Sequence, residues 1–173
     1  VVEIEKNKNK PISVLLNNKK ITTSKLIKEF PCTPIHNNTF SFADASPDFR
    51  RKLLDRSIFI SEKSFSECWF SYYRSLKQRN SLLKNNRISD IYIWNTKLSD
   101  EGTKLNNMRK NFFTKTKNEF HYLIDLIQPS SVFEFFNLIE IDFFRGWDNN
   151  KNLNDLLQEN QDIDLKRKST TQG

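Results

Sequence analysis

Two consecutive apolar stripes in residues 64–127 constrain the fold of this chain more than any other feature. Most neighbouring members of each stripe lie three, four or seven residues apart, so each stripe forms one face of a helix and must be buried. The polar stretch 84–90 separates the stripes and can link the two helices. The pattern predicts a long antiparallel helical arm, with a plain hairpin that has no chemistry as the alternative. The stripes contain Phe65, Trp69, Tyr72, Leu76 and Leu83, then Trp94, Leu98, Leu105, Met108, Phe112, Phe120, Leu123 and Ile127.

Three residues interrupt these stripes. Arg79 and Asn80 stand where the first stripe should hold a hydrophobic residue, and Gly102 lies on the second stripe. An unpaired guanidinium is costly to bury, so we predict that Arg79 is buried and paired with a carboxylate or with main-chain carbonyls. A glycine inside a helix costs about 1 kcal/mol against alanine, so Gly102 indicates a close approach by another element.

The remaining elements predict an α+β fold, in which the edge of a head-lobe β-sheet joins a mostly helical lobe. Short β-type runs and an Asn17-Asn18 turn place a sheet edge in residues 1–45. The helical lobe covers residues 46–165, with the arm at 64–127 and a strand region at 132–145, where apolar and polar residues alternate. Residues 166–173 begin a return into the head lobe, as the start of a strand.

Capping signals refine the predicted helices. Thr23 or Ser24 can begin a short helix that ends before Pro31, and Ser46 can cap a helix with Pro47 at its first position. In that second helix we expect Phe49, Leu53 and Leu54 to face inward. A final helix is expected to follow a cap at Asp148 or Asn149 and to end near Asp164.

The composition favours a polyanionic partner and argues against several classes of site. The net charge is +7 and the pI about 9.4, which suggests nucleic acid, although biased base composition would also produce the many lysines among asparagines. Cys32 and Cys68 lack CxxC spacing, and His36 and His121 lie far apart, so a zinc site is not expected. No apolar run approaches the roughly 18 residues of a membrane helix. We expect a cytoplasmic location and no membrane partner.

The chain contains no phosphate-binding loop of the GxxxxGK[ST] type and no recognisable catalytic motif, and it has only three glycines. We therefore expect that this segment alone has no cofactor and neither binds nor hydrolyses ATP. Millimolar ATP with magnesium should leave its melting temperature unchanged, since a ligand that binds only the native state must raise it. A clear rise would reveal a nucleotide site that the motifs do not indicate.

Two groups of basic residues are candidates for DNA binding. Four of them recur along one edge of the first arm helix, and two adjacent arginines lie in the helix that follows Ser46. A solvated helix face is the alternative for the first group, and pairing with Asp48, Asp55 or the head sheet is the alternative for the second. The candidates are Arg74, Lys77, Lys84 and Arg87 on the arm, and Arg50 and Arg51 before it.

A series of motifs resembles the RecF family of bacterial DNA replication and repair proteins, most closely the proteobacterial type. The match follows the whole chain in order and spacing. Asn17-Asn18 stands where the family often has Asn-Gly, and residues 36–39 depart from the family's usual pattern. The motifs are SPDFRRKLLD at 46–55, LKQRN at 76–80, Trp94, Leu98 and Gly102, FFRGWD at 143–148, LLQEN at 156–160 and TTQG at 170–173.

The resemblance implies a fold like the ATP-binding heads of the ABC and SMC class, with ATP and magnesium as the cofactors of the whole protein. It also implies binding to single-stranded or gapped DNA, ATP-dependent homodimerisation, cooperation with RecO and RecR in RecA loading, and a role in the SOS response. The nucleotide motifs of the family lie outside this sequence, so we expect an internal segment of a longer protein. The alternatives are a structural helical-arm interaction module and a piece of another SMC-like ATPase.

Overall fold

A computed structural model describes residues 1–8, 11–32, 45–127 and 138–171 of the chain. The chain divides into two compact units, Val1–Lys63 and Ser64–Gly173. In its described residues the first contains a small antiparallel sheet and two helices, and the second is mainly helical, so the predicted α+β class is confirmed. The predicted boundary between residues 45 and 46 differs from this division, because the helix that follows Ser46 groups with the first unit.

A three-stranded antiparallel sheet opens the first unit. Strands β1 (Val2–Glu5), β2 (Ser13–Leu16) and β3 (Lys19–Ile21) lie in sequence order, and Leu16 pairs with Lys19 across the second turn. Asn17 and Asn18 have φ values of 47° and 63°, as a two-residue hairpin turn of type I′ requires. The predicted Asn-Asn turn is therefore confirmed.

Helix α1 (Thr23–Glu29) follows the sheet, but neither predicted cap begins it. The side chain of Thr22 accepts a hydrogen bond from the backbone N–H of Lys25 at 3.2 Å. Thr22 has extended backbone geometry, which lets its hydroxyl reach the first helical turn. Thr23 is already inside the helix, so the predicted caps at Thr23 and Ser24 were wrong by one or two residues.

Helix α2 (Pro47–Ser61) has the predicted beginning but not the predicted buried face. Ser46 caps it by accepting from the N–H of Phe49 at 3.3 Å, and Pro47 occupies its first turn. Phe49 and Leu53, predicted to face inward, are 51% and 41% exposed. The buried face instead contains Ile58, because α1 packs against the C-terminal part of α2, where Lys28 lies over the ring of Phe59.

The second unit is built on the predicted helical hairpin. Helices α3 (Phe65–Lys84) and α4 (Ile91–Ile127) are joined by residues 85–90. Residue 72 of α3 lies beside residue 102 of α4, whereas residue 79, further along α3, contacts the earlier residue 95 of α4, so the helices are antiparallel. The apolar stripes lie in this interface, where Leu83, Leu98 and Leu105 are almost completely buried.

The second stripe is wrong at its C-terminal end. Helix α4 has 37 residues and α3 has 20, so the last turns of α4 extend beyond the start of α3. Leu123 and Ile127, which the stripe predicted to be buried, are 52% and 50% exposed. Ile124 is the buried residue there, at 7% exposure. The helical period was correct, but the helix presents a different face once α3 no longer lies opposite.

The strand predicted in residues 132–145 is absent from the part that the structure describes, residues 138–145, while residues 132–137 lie outside the description. The ring centroids of Phe143 and Phe113 lie 5.7 Å apart, and the Lys117 ammonium lies 3.0 Å from the Asp142 carboxylate. This segment therefore contacts the side of α4. The alternation of apolar and polar residues was misread as a strand, because a chain with one face against a helix can show the same period of two.

The predicted last helix is two short helices, α5 (Leu153–Glu159) and α6 (Gln161–Arg167), separated at Asn160. The cap of α5 is Asn152, whose side chain accepts from the N–H of Asn154 at 2.8 Å. The predicted caps at Asp148 and Asn149 were wrong, because residues 148–151 form a turn before the helix. No strand begins in residues 166–171, the described part of the predicted return.

No helix among the described residues is both long enough and apolar enough to cross a membrane.

Candidate functional site

Arg79 is fully buried and lies at the centre of a polar cluster in the second unit. Its guanidinium donates hydrogen bonds to the Asp164 carboxylate at 2.7 Å, to the Asn95 side-chain oxygen at 2.7 Å and to the Leu157 carbonyl at 3.1 Å. A further bond, also 2.7 Å long, goes to the Thr170 hydroxyl. The Arg79 and Asp164 side chains are both 0% exposed. The structure thus has the burial and pairing that the sequence predicted for Arg79.

The other members of the cluster attach the last described residues of the chain. The second oxygen of Asp164 accepts from the backbone N–H and the hydroxyl of Thr171, at 2.9 and 2.7 Å. Asn80 accepts from the N–H and the hydroxyl of Thr170, at 2.8 and 2.7 Å. Asn80 of α3 therefore holds Thr170 and Asp164 of α6 holds Thr171, while Arg79 links α3 to α4, α5 and α6. Arg79 and Asp164 are paired with each other and neither side chain is exposed, so a ligand in solvent cannot reach them. We therefore interpret the cluster as one that holds the fold together.

Gly102 marks a second close approach in the same unit. A Cβ atom at this position would lie 2.8 Å from Leu153 Cδ2 and 3.3 Å from Tyr72 Cε2. Separations under 3.0 Å require the neighbour to move, and Leu153 is itself only 1% exposed. Glycine therefore lets α3, α4 and α5 meet, as the interrupted stripe indicated.

The solvent side of α3 carries three of the four arm candidates. We call this surface the α3 outer face; its members are spaced three or four residues apart and are all exposed, opposite the buried side of the helix. Its members are Phe70, Arg74, Lys77, Ser81 and Lys84. In the described part of the chain, Arg74, Lys77 and Lys84 have no salt bridge. Arg87 lies beyond the helix and approaches Asp90 at 3.3 Å.

The two arginines of the first unit differ in their surroundings. Arg51 lies 4.0 Å from the Asp48 carboxylate, which also binds the Lys52 ammonium at 2.7 Å. The hydrogen bond from Lys52 holds the pKa of Asp48 below its ordinary value. Arg50 is exposed and forms no salt bridge within the described ranges. The expected pairing with Asp48 is thus present for Arg51.

The described residues offer no metal site, and the Cys68 thiol is not activated. No group of three or more His, Cys, Asp or Glu side chains is placed there to hold a metal ion. Burial raises the pKa of the Cys68 thiol, and the Glu101 carboxylate adds to the rise, so this cysteine is a poor nucleophile at neutral pH.

Sequence reasoning missed most partners of Arg79 and the aromatic member of the outer face. Asn95 carried a signal, because it stands between Ile91 and Leu98 at helical spacing, as Arg79 stands within the first stripe. Asp164 had no such signal, because it is 85 residues from Arg79 and only the fold brings them together.

The comparisons with known proteins point to one family. A RecF DNA replication and repair protein from Nitrosococcus oceani is 30% identical over 146 residues, 82% of this chain and 39% of that protein. The RecF of Francisella tularensis subsp. tularensis is 30% identical over 151 residues, 87% of this chain and 42% of the relative. The RecF of Chromohalobacter salexigens is 26% identical over 155 residues, 88% of this chain and 41% of that protein. No protein-family model matches the chain.

Two solved structures share the fold. Structures of the recombination mediator protein RecF in the RecFOR pathway, one with ATP and one with an ATP analogue, match with TM-scores of 0.77 and 0.75 at 22% and 23% identity. Each match covers 99% of this chain and 48% of the RecF chain.

The fold is thus that of part of a RecF-type protein, in which a small antiparallel sheet accompanies a long helical hairpin. The chain is a RecF-like segment, homologous to part of the RecF DNA replication and repair proteins, and the predicted resemblance is confirmed. It spans about 40% of the length of the curated relatives it matches.

Proposed function

We propose that this chain contributes a DNA-binding surface to a RecF-like DNA replication and repair protein. The observation that supports this role is the α3 outer face, where Arg74, Lys77 and Lys84 are exposed and have no acidic partner among the described residues. Exposed cations that no carboxylate neutralises are available to phosphates, and contacts of this kind dominate sequence-independent affinity for DNA. The excess of basic residues over the whole chain acts in the same direction.

The activity of the whole protein is proposed from its relatives. Their names specify DNA replication and repair, and the solved neighbours are recombination mediators with ATP or an analogue. We extend this to single-stranded or gapped DNA as the substrate, to ATP and magnesium as cofactors, and to an ATP-dependent homodimer in the cytoplasm. RecO and RecR are the proposed partners, with RecA loading and the SOS response as the cellular role.

The main competing function is that of an interaction module without a DNA role. The buried cluster around Arg79 gives the hairpin a defined connection to α5 and α6, as such a module would need. In that case the outer face would contact a protein, and DNA affinity would be negligible or indifferent to its charges. A piece of another SMC-like ATPase remains a further alternative, which predicts heptads continuing in the flanking sequence.

Salt dependence tests the DNA role. We expect weak, sequence-independent binding that falls with salt, log K dropping by about 0.9 per neutralised phosphate per decade for duplex and about 0.7 for single strands. Replacing Arg74, Lys77 and Lys84 with glutamine should reduce that slope by about one unit for each phosphate contact that is lost. The matched control replaces Lys97, Lys104 and Lys110, exposed lysines of α4, and should change the slope less for the same change in net charge.

A double variant tests the two arginines of the first unit. Neutralising Arg50 and Arg51 together should reduce the slope by about one or two units if they touch the backbone. An unchanged slope in a folded variant would remove both from the DNA site and support their structural role.

Equal slopes for the outer-face triple variant and its control would contradict the proposed DNA surface on α3.

A further inference from the structure

Aromatic side chains accompany the cations on the exposed side of α3. Phe70 is 62% exposed and lies one helical turn before Arg74, about 6 Å along the axis at 1.5 Å per residue. Tyr73 flanks this face and is 37% exposed. A single exposed aromatic residue is ordinary, but here two lie beside cations that have no acidic partner in the described ranges.

These rings are held in place by a third aromatic residue. Trp69 is partly buried, with its ring centroid 4.1 Å from that of Tyr73 at an interplanar angle of 39°. The ring of Phe70 meets Trp69 edge-on, at 5.3 Å and 90°. The edge-to-face contact of Phe70 is a favourable aromatic geometry, and Tyr73 also packs against Trp69, so both rings are supported on one side while each presents part of a ring to solvent. An ordered, exposed ring loses little conformational entropy when it stacks against a ligand.

We propose that Phe70 and Tyr73 form a stacking site for unpaired nucleic-acid bases, with Arg74 and Lys77 holding the adjacent phosphates. The proposal rests on the DNA role proposed above and deepens it, because it specifies which form of DNA this surface prefers. Bases in a duplex are stacked on their neighbours and present edges, whereas a single strand offers ring faces to aromatic side chains. Glu67 is the acidic residue of α3 nearest to this site, one turn before Phe70.

The test compares two probes, a labelled oligodeoxythymidine and a blunt duplex of mixed sequence, on the whole chain. Phe70→Ala should weaken binding to the single strand about 5- to 150-fold, the range for losing one stacked base, and should leave duplex affinity nearly unchanged. The salt slope should not change, because no charge is removed. Phe70→Trp keeps an aromatic ring at this position and should bind the single strand about as tightly as the wild type does. Tyr92→Ala, which removes a 63% exposed aromatic residue from α4, is the matched control and should change neither affinity.

The outcomes separate this inference from the function on which it rests. If the charge variants weaken binding to both probes while Phe70→Ala weakens binding to neither, the DNA role stands and the stacking site is excluded. If the folded wild-type chain binds neither probe, the DNA role fails and the stacking site fails with it. An equal loss on both probes in a folded Phe70→Ala variant would also overturn the preference for single strands. Thermal melting of each variant shows that it is folded.

Discussion

Arg79→Ala is expected to lower the free energy of unfolding by about 3–5 kcal/mol, the usual cost of removing one partner of a buried ion pair. The variant would leave the Asp164 carboxylate, which is 0% exposed, without its cation. It would also deprive the Asn95 oxygen and the Leu157 carbonyl of their donor. Urea denaturation followed by circular dichroism measures the change.

An exposed arginine on the same helix provides the control. Arg74→Ala removes the same side chain from the outer face of α3 and should change stability by less than about 0.5 kcal/mol. The double variant Arg79→Ala/Asp164→Ala should lose less than the sum of the single variants, because the second change removes the carboxylate that the first leaves unpaired. Similar losses for Arg79→Ala and Arg74→Ala would mean that the cluster does not stabilise the fold.

Gly102→Leu is expected to be strongly destabilising, by about 2–3 kcal/mol or more, because overpacking forces neighbouring side chains or helices to move. Leucine has a much higher helix propensity than glycine, which by itself would stabilise α4 by roughly 0.5–1 kcal/mol. A net loss therefore reports the crowding against Leu153 and Tyr72 and not a weaker helix. Chemical denaturation of the variant and of the wild type gives the difference.

The space around Gly102 can be tested with a smaller change. Gly102→Ala places a methyl group 2.8 Å from Leu153 Cδ2, so it should be less destabilising in a Leu153→Ala background, where that atom is absent. Thr103→Ala, at the exposed next position of α4, measures the effect of a substitution there without crowding. If Gly102→Ala and Gly102→Leu both stabilise the chain, α5 does not approach the hairpin as closely as the structure shows.

The sequence was most informative where a local pattern and a local structure coincide. The hairpin, the Asn17-Asn18 turn and the Ser46 cap each depend on residues within one or two turns of one another. Errors arose where an element's partner decided which side was buried. Helix α2 buries Ile58 and exposes Phe49, although the order of apolar residues in that helix allowed either face.

In the candidate site, too, local features could be predicted from the sequence and long-range partners could not. The anomaly at Arg79 was visible, because a charged residue on an apolar stripe must find a partner, whereas the identity of Asp164 required the fold. The outer face of α3 could be predicted as basic from the spacing of Arg74, Lys77 and Lys84. The exposure of Phe70 could not, because an apolar residue beside a helical stripe is normally expected to extend it.

Photo-crosslinking tests most directly the central claim that DNA lies on the outer face of α3. A single strand containing photoreactive thymidine analogues is irradiated with the chain at low salt, and the modified peptides are identified by mass spectrometry. The account predicts crosslinks within Phe65–Lys84, with Phe70 and Tyr73 as the principal residues, and their loss at high salt or in the Arg74/Lys77/Lys84 glutamine variant. Crosslinks confined to other elements, or persisting unchanged in that variant, would contradict it.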